Sequence, residues 1–173
     1  GAEYGIDGAG EIADHLYSTL DTVFPPVDGR YPSVEEKALN FTPFFLRHPS
    51  AYNQFYVVSA IVRYAKYKKD SEIFIEALNH FYNTVDYYED GDWKINGLFG
   101  VFDGEKFGRK SGNVHLHHYE ALINIYDAID SCLDESERDD VKTNLLDRMH
   151  SAEELFFSKL YDRETQMTPD SLN

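Results

Sequence analysis

Cysteine, tryptophan and cationic side chains are scarce in this 173-residue chain, and each scarcity closes off a class of protein. One cysteine, Cys132, leaves no partner for an internal disulfide, which removes a disulfide-framework fold and fits a reducing compartment such as the cytoplasm. It reads as a free, buried thiol that packs like a small hydrophobe. None is needed as a staple, because a domain of this length buries roughly 70% of the surface its unfolded chain exposes. Lys and Arg number 16 against 31 Asp and Glu, a formal charge of −15 that repels phosphate backbones and argues against nucleic-acid binding. Such a surface keeps a protein soluble, and a charge-complementary protein partner would be basic. No apolar run approaches the roughly 20 residues that span a bilayer. The opening Gly1-Ala2-Glu3-Tyr4 has neither the basic region nor the apolar stretch of a signal peptide, and without an initiating Met it reads as a processed or trimmed terminus. Asn40-Phe41-Thr42 is a glycosylation acceptor only in a chain that reaches a glycosylating compartment.

What is present is helical periodicity. From about Ala9 to Phe24, Ile12, Leu16, Leu20 and Phe24 recur every four residues as one helical face, and Pro25-Pro26 ends it. Ser33 and Glu36 form a capping box for a helix expected to run to about Arg47, before His48-Pro49. Ser50 caps a third helix with Phe55, Val58, Ile61 and Ala65 inward. After a break at Lys68-Lys69-Asp70, a fourth presents Phe74, Ala77, Leu78, Phe81 and Val85. So short a connection makes the two an antiparallel hairpin. Between Glu89 and Gly112, glycines and the turns Asp90-Gly91-Asp92 and Asp103-Gly104-Glu105 interrupt the period, predicting a Gly-rich loop or a short β-hairpin. Asn113 caps a fifth helix to about Ile129, and Asp134 or Ser136 starts a sixth with Val141, Leu145, Met149, Ala152 and Phe156 inward. The tail from Asp162 to Asn173 reads as irregular. The class is all-α, a single domain over residues 1–173 built of antiparallel helical hairpins.

The segment NVHLHHYEALINIYDAI cannot point its three histidines one way. At about 100° per residue, His115 and His118 share a stripe with Leu122, Ile125 and Ile129 and belong to the packed core. Asn113, His117, Glu120, Ala121 and Asn124 share a second, polar stripe directly after the glycine-rich segment, where the loop could close over them. His117 is the side chain able to exchange protons near neutral pH, and Glu120 is placed to orient it. Metal binding is disfavoured, because His115 and His117 point about 200° apart whereas a helical zinc site uses ligands three or four residues apart. No cofactor is expected.

The run Gly112-Asn113-Val114-His115-Leu116-His117-His118-Tyr119-Glu120-Ala121 resembles the N-x-H-L-H-x-x-E-A signature of the N-acylglucosamine 2-epimerase and cellobiose 2-epimerase family, with Lys110-Ser111 before it as in the cellobiose members. The upstream Ala51-Tyr52, Gln54-Phe55 and Ala60 are similar to the family's A-Y-x-Q-F-x-x-x-A, so the resemblance covers about residues 51–160. It implies part of an (α/α) toroid whose inner helices line a sugar cavity. It further implies that His117 and Glu120 serve sugar epimerisation or isomerisation by proton transfer beside the carbonyl, with Asn113 facing the substrate. Trp93, Phe99 and Phe102 are the loop aromatics that would stack on a sugar ring, or else anchor the loop. The chain is about half the family's length, the family's other two histidines and its early arginine-bearing hairpin are not recognisable, and a half toroid leaves its cavity open. Three expectations follow: a piece of a longer protein, a shortened relative that closes by homo-oligomerisation, or a protein that is no longer an enzyme. The competing function is a small acidic interaction protein, of immunity or inhibitor type, that binds a basic protein.

Overall fold

The computed structural model describes residues 5–26, 29–32, 50–89, 101–102, 105–106 and 112–165. The described residues form an all-α fold of five helices: α1 Ala9–Val23, α2 Ala51–Lys68, α3 Ser71–Tyr88, α4 Gly112–Cys132 and α5 Glu135–Leu155. A single π-helical turn, Phe156–Leu160, follows α5. Two two-residue strands, β1 Val101–Phe102 and β2 Glu105–Lys106, pair antiparallel with Val101 opposite Lys106 and Phe102 opposite Glu105. The helix expected over Ser33–Arg47 lies outside the described residues, as does most of the 89–112 loop.

α2 and α3 form the hairpin that their two-residue connection dictates. Ser50 Oγ accepts from the Asn53 N–H at the start of α2. Lys69 closes α2 in the left-handed conformation (φ 55°), its N–H donating to the Ala65 and Lys66 carbonyls. Asp70 then caps α3 through the Glu72 and Ile73 N–H groups, so one helix stops and the next starts without slack. Phe55, Val58, Ile61 and Ala65 of α2 and Phe74, Ala77, Phe81 and Val85 of α3 are buried, as their spacing requires, and each large side chain among them contributes about 1.5–3 kcal/mol. Leu78 packs against this core only partly buried. α4 and α5 repeat the arrangement: Leu122, Ile125, Ala128 and Ile129 face Leu145 and Met149, and the free Cys132 is buried beside Leu133. α4 begins at Gly112, one residue before Asn113, so Asn113 belongs to the first helical turn and does not precede it as a cap.

The two hairpins are related by a nearly constant shift along the chain. Tyr56 meets His117, Arg63 meets Asn124 and Lys66 meets Asp127, each pair 61 residues apart. A constant difference in residue number means that α2 and α4 run parallel and in register; antiparallel neighbours would keep a constant sum. In the other layer, Tyr82 of α3 donates to Asn144 of α5 at a separation of 62, and Arg148 of α5 pairs with Glu89 at the end of α3 at 59. α3 and α5 are therefore parallel as well. The fold is two like hairpins side by side, α2 with α4 and α3 with α5.

α1 departs from expectation. The four-residue recurrence puts Ile12 and Leu16 on one face with Leu20 and Phe24, yet both are 62% exposed and α1 has no buried residue. It meets the core through Tyr17, Leu20 and Phe24. Long side chains hold it: Tyr64 donates to Asp14 (2.8 Å), Tyr17 donates to Glu76 (3.0 Å) and stacks on Tyr64, and Lys68 pairs with Asp14. Tyr31, just beyond α1, is clamped by Gln54, whose Oε1 accepts from the Tyr31 N–H (2.9 Å) while its Nε2 donates to the Tyr31 carbonyl (2.7 Å). His80 donates to the same Gln54 Oε1 (3.1 Å), and burial pushes its pKa down to about 4.

Candidate functional site

The two histidine stripes of α4 separate as the helical period requires. His115 and His118 are buried, with His118 between Phe55 (ring centroids 5.2 Å apart) and Phe81 (5.7 Å, stacked at 8°). His117 lies on the seam between α2 and α4, its side chain 13% exposed beside a Glu120 side chain that is 49% exposed. Their i, i+3 spacing puts His117 Nδ1 2.9 Å from Glu120 Oε2.

The partners fix the tautomer. An ionised carboxylate can only accept, so His117 carries its proton on Nδ1 and donates it to Glu120. In the neutral ring Nε2 then holds a lone pair, to which the Tyr56 hydroxyl, 3.2 Å away, donates. Tyr52 completes the line, its hydroxyl 3.2 Å from that of Tyr56. The polarity is consistent from Tyr52 through Tyr56 and His117 to Glu120, leaving one nitrogen of His117 basic and turned toward a hydroxyl. The Tyr52 and Tyr56 rings also pack on the imidazole, at centroid distances of 4.7 and 4.4 Å.

Below this cluster the seam continues through Arg63 Nε donating to Asn124 Oδ1 (3.2 Å) and Lys66 paired with Asp127 (2.6 Å). Asn124 and Ala121 were assigned to the polar stripe by period alone; Asn124 lies along the seam and Ala121 is buried beneath it. Of the six residues proposed from the sequence, His117 and Glu120 are brought together. Trp93 and Phe99 lie outside the described residues, as do the side chains of Phe102, in β1, and Asn113, in the first turn of α4. Among the described residues no group of three His, Cys, Asp or Glu side chains is gathered as a metal site.

Sequence reasoning missed Tyr56. Its signal was its place four residues after Tyr52 on α2, but only the in-register pairing of α2 with α4 turns that spacing into a contact with His117. No protein-family model matches the chain, and no curated protein or solved structure matches it.

Proposed function

We propose that this chain is a sugar-binding domain built on the plan of part of an (α/α) toroid, and that His117 transfers a proton at the carbon beside a sugar carbonyl. The observation that carries this reading is the polarised line Tyr52, Tyr56, His117, Glu120 on an accessible seam between parallel helices. A reducing sugar that displaces the Tyr56 hydroxyl would bring its C–H to Nε2 of a neutral imidazole held by Glu120. As the base takes the proton, charge passes to the carbonyl oxygen, where the Tyr56 hydroxyl is the nearest donor. Tyr52 and Tyr56 supply the aromatic faces and hydroxyls that sugars pack against. The parallel, in-register hairpins support the toroid part of the reading, since each layer of a toroid repeats its helix direction. The test is a screen of reducing mono- and disaccharides in deuterated water. Exchange of the hydrogen beside the carbonyl should occur with the wild type and vanish in His117→Ala; a complete screen without exchange rejects the catalytic reading.

A second reading is favoured by a different face. The 61-residue shift maps Leu116, Tyr119, Ile123 and Tyr126 of α4 onto Phe55, Val58, Val62 and Ala65 of α2, all fully buried. In α4, Leu116 and Ile123 are 56% and 49% exposed. An uncovered apolar stripe on a chain of charge −15 suits a basic amphipathic protein partner, the interaction-protein alternative. Under that reading Ile123→Asp abolishes partner binding and His117→Ala does not.

A further inference from the structure

A groove of about 720 Å³ opens between α1, α2 and the adjoining edge of α4. This volume falls within the range of small-molecule sites. One wall is apolar, with Leu16, Leu20 and Phe24 of α1, and Tyr64 and Tyr67 of α2 add aromatic surface. The exposure of Leu16, which the fold of α1 leaves unexplained, is exposure to this groove.

The charge of the groove opposes that of the chain. Among the described residues its lining holds two cations, Arg63 and Lys66, against one carboxylate, Asp127, in a protein of net charge −15. Asp127 is engaged by Lys66 at 2.6 Å. Arg63 has no carboxylate partner among the described residues; its Nε donates to the neutral Asn124 amide, which leaves the rest of the guanidinium for an anion. Asn124 Nδ2, beside it, is buried without an acceptor. A carboxylate seated on Arg63 pairs with the free edge of its guanidinium, while an apolar tail covers Leu16, Leu20 and Phe24.

We infer that this groove binds an amphipathic carboxylic acid, with its acid group on Arg63 and its hydrocarbon portion between α1 and α2. The site is separate from the His117 cluster and does not depend on the function proposed for it. The probe is sodium decanoate, titrated calorimetrically at neutral pH up to about 1 mM, with decanol and decylamine as controls of the same chain length. Decanoate should bind with one site per chain. Arg63→Gln should weaken it about tenfold or more, the loss expected for a charge-assisted hydrogen bond. Leu16→Asp, at a position too exposed to threaten folding, should weaken it as well. Decanol and decylamine should bind at least about tenfold more weakly than decanoate. No decanoate binding, equal binding of decanol or decylamine, or undiminished affinity in Arg63→Gln would each overturn the proposal.

Discussion

Replacing His118 with leucine should stabilise the protein and flatten the acid side of its stability profile. His118 is 1% exposed, and neither of its ring nitrogens has a hydrogen-bond partner among the described residues. Burial, and then the positive charge of Arg148 and the neighbouring His115, push its pKa from 6.5 down to about 3. The folded protein therefore keeps this ring neutral well below the pH at which the unfolded chain protonates it. Stability rises with pH wherever the unfolded state binds more protons, so this group's contribution is complete above about pH 6.5 and is lost as pH falls toward 3. Between pH 7 and pH 5 the loss is about 2 kcal/mol, from 1.36 kcal/mol per unit over the interval in which only the unfolded state is protonated. His80, lowered to about 4, adds a similar slope of its own, so the comparison must be made between the wild type and His118→Leu. Urea unfolding at pH 7 and pH 5 should show the variant losing about 2 kcal/mol less than the wild type over that interval. At pH 7 the variant should be more stable by about 1 kcal/mol, because a buried polar group without a partner has been removed from between Phe55 and Phe81. Equal pH dependence in the two proteins would refute the burial of an uncharged His118.

Two further substitutions test the joints of the fold. Gln54→Leu strips both buried hydrogen bonds from the Tyr31 backbone and one from His80, and should cost about 2–4 kcal/mol in urea unfolding at pH 7. Lys69→Gly relieves a left-handed non-glycine residue at the end of α2, and should gain about 0.5–1 kcal/mol, read as a rise in the unfolding midpoint.

The helices that pack on both neighbours were legible from spacing, since α2 and α3 must bury a broad stripe to exist and their apolar residues recur accordingly. α4 was legible in finer detail: the period separated buried His115 and His118 from seam-facing His117 and placed Glu120 where it meets that ring. The surroundings of the apolar face of α1 were not legible. Periodicity reports that a helix has an apolar face, not that the whole face touches a core: Leu20 and Phe24 pack on it while Ile12 and Leu16 are exposed. Tyr56 was illegible for the opposite reason, because its role comes from a partner 61 residues away and nothing local marks it. The shift that relates the hairpins is carried by contacts such as Arg63 with Asn124, not by repeated residue types, so it emerges only in three dimensions.

The central claim is that Glu120 orients His117 so that its neutral ring carries the proton on Nδ1, with Nε2 turned to Tyr56. Long-range ¹H–¹⁵N correlation spectra of the histidine rings at pH 8, assigned with His117→Ala, measure this directly. The account predicts a protonated Nδ1 and an unprotonated Nε2 for His117, with that preference lost in Glu120→Ala. A ring protonated at Nε2 alone, or one averaging between tautomers in the wild type, would contradict it.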